Sequence, residues 1–334
     1  MILLAYGTRP EYIKFKPLIK VFDLNHFPYR TLFTGQHEDL IKEAKPDYKI
    51  TIVDGENRLD SIVASIMNWM SKIQKVSDIT HVMVQGDTTS AMAVALSAFH
   101  HGVKIIHLEA GLRTHDRENP YPEEVNRKII SEIADIHLCP TDWAQRNLVC
   151  EKAKGEIHVV GNTVIDNLLP YKDKCKYTNK ILVTLHRREN HHLMKEWFTE
   201  LEKLATEYPQ YMFLLPIHPN PNVQKWKYLL NNVTVIDPLP YEKMLEILIQ
   251  CRLVITDSGG LQEESCFFNK ICLTCRTVTE RPEAIGVNGL LVTRPEDLKH
   301  FFAEVHNDYK IDVDCPFGDG HAAEKIMAIL KYVR

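Results

Sequence analysis

The sequence predicts an α/β protein built from two doubly wound parallel-sheet domains, and three observations predict it. Short apolar runs alternate with longer amphipathic stretches, the rhythm of βαβ units whose helices cover both faces of a sheet. That rhythm begins at the N-terminus and begins again near Lys180. The chain is also 334 residues long, more than one ordinary core accommodates.

Taken in order, residues 1–5 are a continuous apolar strand, followed by Gly7-Thr8-Arg9-Pro10 and a helix running to 21. Strands follow at 29–34, 81–85, 104–108, 136–139 and 158–160, with a helix over 88–101. The second series has strands at 180–184, 212–216, 233–236, 253–256 and 270–273. Residues 169–179 are polar and charged and carry Pro170, which marks them as the connection. The expected division is 1–168, 169–317, and a final segment 318–334 that reads as a helix after a Gly/Asp start. Loops at the carboxyl ends of the two strand sets are expected to line a cleft.

Hydrophobic residues make up 45% and charged residues 25%, as in ordinary globular proteins. A net charge of -4 argues against a nucleic-acid partner, because such binders carry a basic surplus. An acidic protein still binds an anion where cations and helix N-termini converge. No apolar run reaches the ~20 residues that span a bilayer, so no membrane association is expected. The first residues lack a basic segment and read as a buried strand rather than a signal peptide. Eight cysteines are scattered through strands and helices, which suits reduced thiols and a cytoplasmic location better than a disulfide framework. Cys272 and Cys275 form a lone C-x-x-C pair inside an apolar run and read as core. The adjacent His191 and His192 give neither an i,i+4 helical face nor a Cys/His set, so no metal site is expected.

No Gly-x-Gly-x-x-Gly follows the first strand and no Walker sequence is present, which removes the main support for dinucleotide or P-loop binding. Gly7 permits a tight turn, Pro10 suits a first helical turn, and Arg9 and Lys14 lie near a helix N-terminus that favours an anion. A capped helix with two surface cations is the alternative there. Asp87 ends the strand of Val84-Gln85-Gly86-Asp87, and Glu109 ends the strand of His107-Leu108-Glu109. Both therefore sit on the carboxyl edge, where active sites of open α/β sheets lie. Glu123 stands at a helix start. Alone, Asp87 reads equally as an N-cap and Glu123 as dipole compensation. Their convergence with Arg113, Arg117 and Arg127 along the chain favours a functional cluster.

In the second series, Thr184-Leu185-His186-Arg187-Arg188 places a histidine and two arginines at a strand end, suited to an anionic leaving group. Ile217-His218-Pro219 is a further polar strand tip. Asp257-Ser258-Gly259-Gly260 follows a strand and opens a helix. Paired glycines let backbone N–H groups approach a phosphate, and Ser258 adds a hydroxyl. Glu264 lies one turn on, where a carboxylate can accept both hydroxyls of a ribose. The plain alternative is a strand-to-helix turn with an N-cap serine.

The stretches GTRPEYIK, TGQH, QGDTTS, HLEAGLRTHDRENPYPEEVNRK, GNTVID, TLHRREN, IHPNP, TDSGGLQEE, TERPEAI and FGDGHAAEKI span nearly the whole chain. Together the chain resembles the non-hydrolysing UDP-N-acetylglucosamine 2-epimerase family. The resemblance implies a GT-B architecture of two Rossmann-like domains facing a cleft, with the C-terminal helix returning to the first domain, and a homodimer. It puts catalytic roles on Asp87, Glu109, Glu123 and His186. It puts substrate and UDP contacts on Arg9, Lys14, Arg113, His218, Ser258, Gly259, Gly260, Glu264 and Arg281. The implied reaction eliminates UDP from a UDP-N-acetylhexosamine and re-adds it through a 2-acetamidoglucal. No hydride is stored, so no cofactor is implied. The carboxylates are not assigned to faces of C2.

Some positions depart from the family pattern. Met244 stands where an aromatic usually packs on uracil, and methionine is apolar and adaptable enough to substitute. Gln36, Arg187 and His218 match a regulatory UDP-sugar subsite of bacterial members. Asp39 stands where glutamine is usual and Arg58 aligns poorly, so weak substrate activation is expected. Rival readings are a GT-B glycosyltransferase, which has no need of clustered Asp87, Glu109 and Glu123, and a hydrolysing epimerase, which usually differs in the GTRPE loop. An epimerase of a 6-deoxy or uronic-acid sugar, and a non-enzymatic UDP-sugar binder, also remain open.

Overall fold

The computed structural model describes residues 1–36, 44–72, 78–307 and 309–332. The chain divides into two compact units: Met1–Asn167 with Phe317–Arg334, and Leu168–Pro316.

Among the described residues, unit 1 holds one sheet of β1 (Ile2–Tyr6), β2 (Tyr29–Phe33), β3 (Tyr48–Lys49), β4 (His81–Gln85), β5 (Lys104–Leu108), β6 (Ile136–Cys139) and β7 (Glu156–Val159). Its order is β3-β2-β1-β4-β5-β6-β7, with every pair parallel. All five residues of β1 are buried, because helices cover both faces, and so the strand reads as an unbroken apolar run. One face is packed by Phe15, Leu18 and Phe22 of the helix Arg9–Leu24 and by Ile326, Met327 and Leu330 of the helix Ala322–Leu330. The other is packed by Ile62 and Ile66 of the helix Arg58–Met70 and the alanines of the helix Thr89–His100.

Unit 2 repeats the plan. Its sheet holds β8 (Lys180–Thr184), β9 (Met212–Pro216), β10 (Thr234–Ile236), β11 (Leu253–Thr256), β12 (Ile271–Thr274) and β13 (Gly289–Leu291). The order is β10-β9-β8-β11-β12-β13, again all parallel. Trp197, Phe198 and Leu201 of the helix Met194–Glu207 and Phe302 of the helix Leu298–Val305 fill its core with Phe213 of β9. In each sheet the winding reverses once, between β1 and β4 and between β8 and β11, and the loops leaving those strands open the crevice where such folds bind ligands. Two doubly wound units of this kind in one chain form the GT-B class.

The segment read as a connection starts beside the boundary between the units and has local structure of its own. Leu169–Lys174 forms a 3-10 helix. Beyond it Lys176 N donates to Ile249 O at 2.7 Å, and the Thr178 hydroxyl to Gln250 O at 2.9 Å. Its polar side chains face water while its backbone is tied to unit 2. The helix expected within 318–334 spans Ala322–Leu330. Cys272 and Cys275 are buried, and burial pushes the Cys272 thiol up to about 12. Among the described residues no helix is long and apolar enough to cross a membrane.

Candidate active site

The candidate groups of unit 1 collect at its switch point. Glu109 follows β5 with a φ of 64°, a left-handed backbone that costs a non-glycine residue on the order of 1–3 kcal/mol. Side chains from several elements hold its carboxylate there. Lys14 Nζ lies 2.6 Å from Oε1 and 2.5 Å from Oε2, Asn162 Nδ2 donates to Oε1 at 3.0 Å, and Gln85 Nε2 donates to Oε2. Lys14, expected at a nucleotide, is thus paired with a carboxylate in this structure. A Cβ added at Gly86 would meet Glu109 Oε2 at 3.5 Å, so the carboxylate lies against the turn that carries Asp87.

Asp87 is gripped from the next helix, Glu123–Ile133. Arg127 Nε and Nη2 donate to its Oδ2 at 2.9 and 2.6 Å, and Asn126 Nδ2 donates to its carbonyl at 2.9 Å. Arg127 also donates to Glu124, whose oxygens accept from Thr114 N and His115 N and so shape the preceding loop. Glu123 is the half-buried first residue of that helix. The helix therefore holds Asp87 through Arg127 and carries Glu123 at its first position. Arg113 is placed differently. It is buried, and its guanidinium goes to Glu151, Ser131 and the Leu112 carbonyl. Those bonds make it a cation of the interior.

Glu11 has a role that the sequence did not reveal. Its Oε2 accepts from Gly7 N at 2.7 Å, Thr8 N at 2.6 Å and the Thr8 hydroxyl at 2.9 Å, and Oε1 from Thr88 at 2.7 Å. Burial raises its pKa, with the four donors opposing. The N–H groups of Gly7 and Thr8, expected to favour a bound anion, serve this internal carboxyl. Arg9, half-buried, is the cation at that turn.

In unit 2 the loops after β8 and β11 are joined by Asp257, which is fully buried. It accepts from His186 N at 2.9 Å, Arg187 N at 2.8 Å and Asn190 Nδ2 at 3.0 Å. His186 is half-buried, and its ring stacks on His218 with centroids 4.9 Å apart and planes 13° apart. Burial lowers the His186 pKa, with His218, Arg187 and His191 adding and Asp257 opposing. The ring is therefore poised neutral.

Ser258 occupies the N-cap position of the helix Gly259–Phe267, yet its hydroxyl makes no capping bond. The plain capping alternative for that serine is not the arrangement seen, and the helix start keeps its N–H donors for another acceptor. Gly259 is required by close packing, since a Cβ there would meet Arg281 Nη1 at 2.4 Å and Cζ at 2.9 Å. Arg281 cannot move aside, because Glu263 and Glu280 hold it from two directions. Gly260 has open space around its Cα, with Ser258 Oγ 4.0 Å from a Cβ placed there. Glu264 is buried and accepts from the Tyr241 hydroxyl at 3.2 Å. Met244 lies one turn beyond Tyr241 on the helix Tyr241–Leu248 and is half-buried. Of the regulatory positions, Gln36 Oε1 accepts from Ser90 at 2.9 Å and Arg58 is exposed, while Asp39 lies outside the described residues.

Four likenesses bear on this geometry. A family model described as UDP-N-acetylglucosamine 2-epimerase matches residues 21–331. The UDP-N-acetylglucosamine 2-epimerase of Campylobacter jejuni is 38% identical, over 98% of this chain and 97% of that one. Among solved structures, the Neisseria meningitidis UDP-GlcNAc 2-epimerase bound to UDP-GlcNAc is 31% identical, with a TM-score of 0.90 and 99% of both chains covered. The Methanocaldococcus jannaschii UDP-GlcNAc 2-epimerase in complex with UDP-GlcNAc and UDP is 29% identical, with a TM-score of 0.82 and 99% of both chains covered.

Proposed function

We propose an activity from one premise: the chain belongs to the UDP-N-acetylglucosamine 2-epimerase family. It interconverts UDP-N-acetylglucosamine and UDP-N-acetylmannosamine. The observation that carries this reading is the division of labour between switch points. Acid–base groups gather at that of unit 1, and an uncapped helix start with a neutral histidine lies at that of unit 2.

The chemistry follows from the groups available. The C2 proton passes to a carboxylate of the set Asp87, Glu109 and Glu123 while the C1–O bond breaks and its electron pair leaves with UDP. The C2–H pair forms the C1=C2 bond of a 2-acetamidoglucal. UDP oxygen then adds back to C1, and a second acid delivers a proton to the opposite face of C2. Two opposed proton transfers need at least two acid–base groups, which a glycosyltransferase does not. Charge on the departing diphosphate is offset by Arg9 and the N–H groups at Ser258–Gly260, with the neutral rings of His186 and His218 available as hydrogen-bond donors. Glu264 takes the ribose, and Arg281 orders the helix start through its contact with Gly259. Arg113, tied to Glu151, supports the fold rather than the substrate. A nucleotide-sugar substrate and free cysteines fit a cytoplasmic homodimer of polysaccharide precursor synthesis.

The test is incubation with UDP-N-acetylglucosamine in deuterated water, followed by proton NMR. Deuterium is expected at C2 of both epimers. Epimerisation with the C2 proton fully retained sinks the elimination route, and release of free sugar points to the hydrolysing reaction.

A further inference from the structure

Asn162 opens the short helix Thr163–Asp166 at the end of unit 1 and is buried. Its backbone N–H and the two polar atoms of its side chain have three distinct directions. The backbone N–H donates at 2.7 Å to the carbonyl of Phe317, the residue at which the chain re-enters unit 1. The side-chain oxygen caps the local turn by accepting from Val164 N at 3.2 Å. The side-chain nitrogen donates at 3.0 Å to Glu109 Oε1. The two strands of chain are packed closely here. A Cβ at Gly161 would lie 3.3 Å from both the Gly318 Cα and the Phe317 carbonyl oxygen, and Gly161 itself has a φ of +91°. The amide therefore cannot drift without disturbing that crossing.

We propose that Asn162 is a positioning residue that fixes the Glu109 carboxylate from the point where the chain re-enters unit 1. It acts through Glu109 and does not touch substrate, so the inference rests on the reading of Glu109 as an acid–base group. Donors from different elements hold that carboxylate, among them Lys14 from the first helix, Gln85 from β4 and Asn162 from the crossing. Lys14 supplies the charge, while the two amides fix the plane of the carboxylate. An amide donor also favours the charged carboxylate over the neutral acid.

The two functions of the side chain separate in two variants. Asn162→Asp keeps the oxygen that caps Val164 and replaces the donor to Glu109 with a second carboxylate. Asn162→Ala removes both. Positioning predicts that Asn162→Asp is the slower enzyme. Its kcat is expected to fall at least about tenfold below that of Asn162→Ala, with KM changed little, because facing carboxylates 3.0 Å apart compete for one proton. In both variants the acidic limb of the kcat profile moves up, by about one pH unit for Asn162→Ala, the loss of one charge-assisted hydrogen bond. Capping alone predicts the reverse order and an unmoved limb, and that result overturns the proposal. Hydrogen-exchange protection of β1, β4 and β5 equal to that of the parent protein verifies that unit 1 is folded, and Asn162→Ser takes the place of either variant that fails it. Glu109→Gln is assayed alongside. Near-normal turnover there defeats the role of Glu109 itself, whereas an inactive Glu109→Gln beside indifferent Asn162 variants defeats only the present proposal.

Discussion

At the scale of single residues, the candidate groups are prepared by what holds them. Glu109 has an unfavourable φ and donors from several elements, Asp87 has two bonds from one guanidinium, and His186 is fixed through its backbone by Asp257. Groups held in this way lose little entropy on reaching the transition state. Asp87→Asn, Glu109→Gln, Glu123→Gln and His186→Ala are each expected to lower kcat at least ~100-fold while UDP still binds. Steady-state rates with UDP titration calorimetry check this, and a variant that retains its turnover leaves the catalytic set. Gly259→Ala drives a methyl group into the pinned Arg281, so a loss of ~1–3 kcal/mol is expected, read from a denaturant midpoint. Asp87 and Glu109 were legible in the sequence because each ends an apolar strand. Arg127, which grips Asp87, was legible with them as a cation of the cluster, but Asn162 and Asp257 were not legible as holders. Asn162 reaches Glu109 across 53 residues and Asp257 reaches His186 across 71, and no periodicity encodes a contact at that separation.

Among the elements, strands were the most legible, since a buried parallel strand is an uninterrupted apolar run. β4, β5, β6, β8, β9 and β11 lie where that pattern puts them. β3, with two residues, and β13, with three, are too short to carry a pattern, and partners already in the sheet recruit them. The helix Ala322–Leu330 shows another kind of dependence. Its own residues do not cap it. Asp166, far off in sequence, accepts from Ala322 N at 3.0 Å and Ala323 N at 2.7 Å. Asp166→Ala should therefore cost ~1 kcal/mol, the worth of an N-cap, and increase hydrogen exchange in that helix before the rest of unit 1. Equal exchange in the variant and the parent protein would show that packing alone holds the helix.

For the whole molecule, each unit encloses its own core, and ligand and pH should act on them separately. UDP at ~100 times its dissociation constant should add ~2.7 kcal/mol to the stability of unit 2, with the greatest exchange protection around Ser258–Glu264. Glu264→Ala should diminish that gain, and protection confined to unit 1 would refute the assignment. Acid should act on unit 1 through His107, and in the same direction on unit 2 through His186. His107 is buried, its Nε2 lies 2.8 Å from the Gly86 carbonyl, and burial pushes its pKa from 6.5 to about 3. The unfolded chain takes up that proton below 6.5 and the folded unit does not until about 3, so stability is lost as pH falls through this window. His107→Gln, which keeps a donor for Gly86, should flatten the pH dependence there by roughly 1.4 kcal/mol per pH unit. Urea midpoints between about pH 4.5 and 6 would reveal it. Rates are expected to be hyperbolic in substrate, given Asp39, and a sigmoidal curve would contradict this. The return of Phe317–Arg334 to unit 1 bears on biosynthesis as well. Ala323, Ile326, Met327 and Leu330 complete a core whose other residues precede all of unit 2. On the ribosome unit 1 must wait, with one sheet face covered only in part by its first helix, until the whole of unit 2 has been translated. The first half of the gene is thus the last to finish folding, and a premature stop after unit 2 would leave the earlier-made unit, not the later one, exposed to proteases and aggregation.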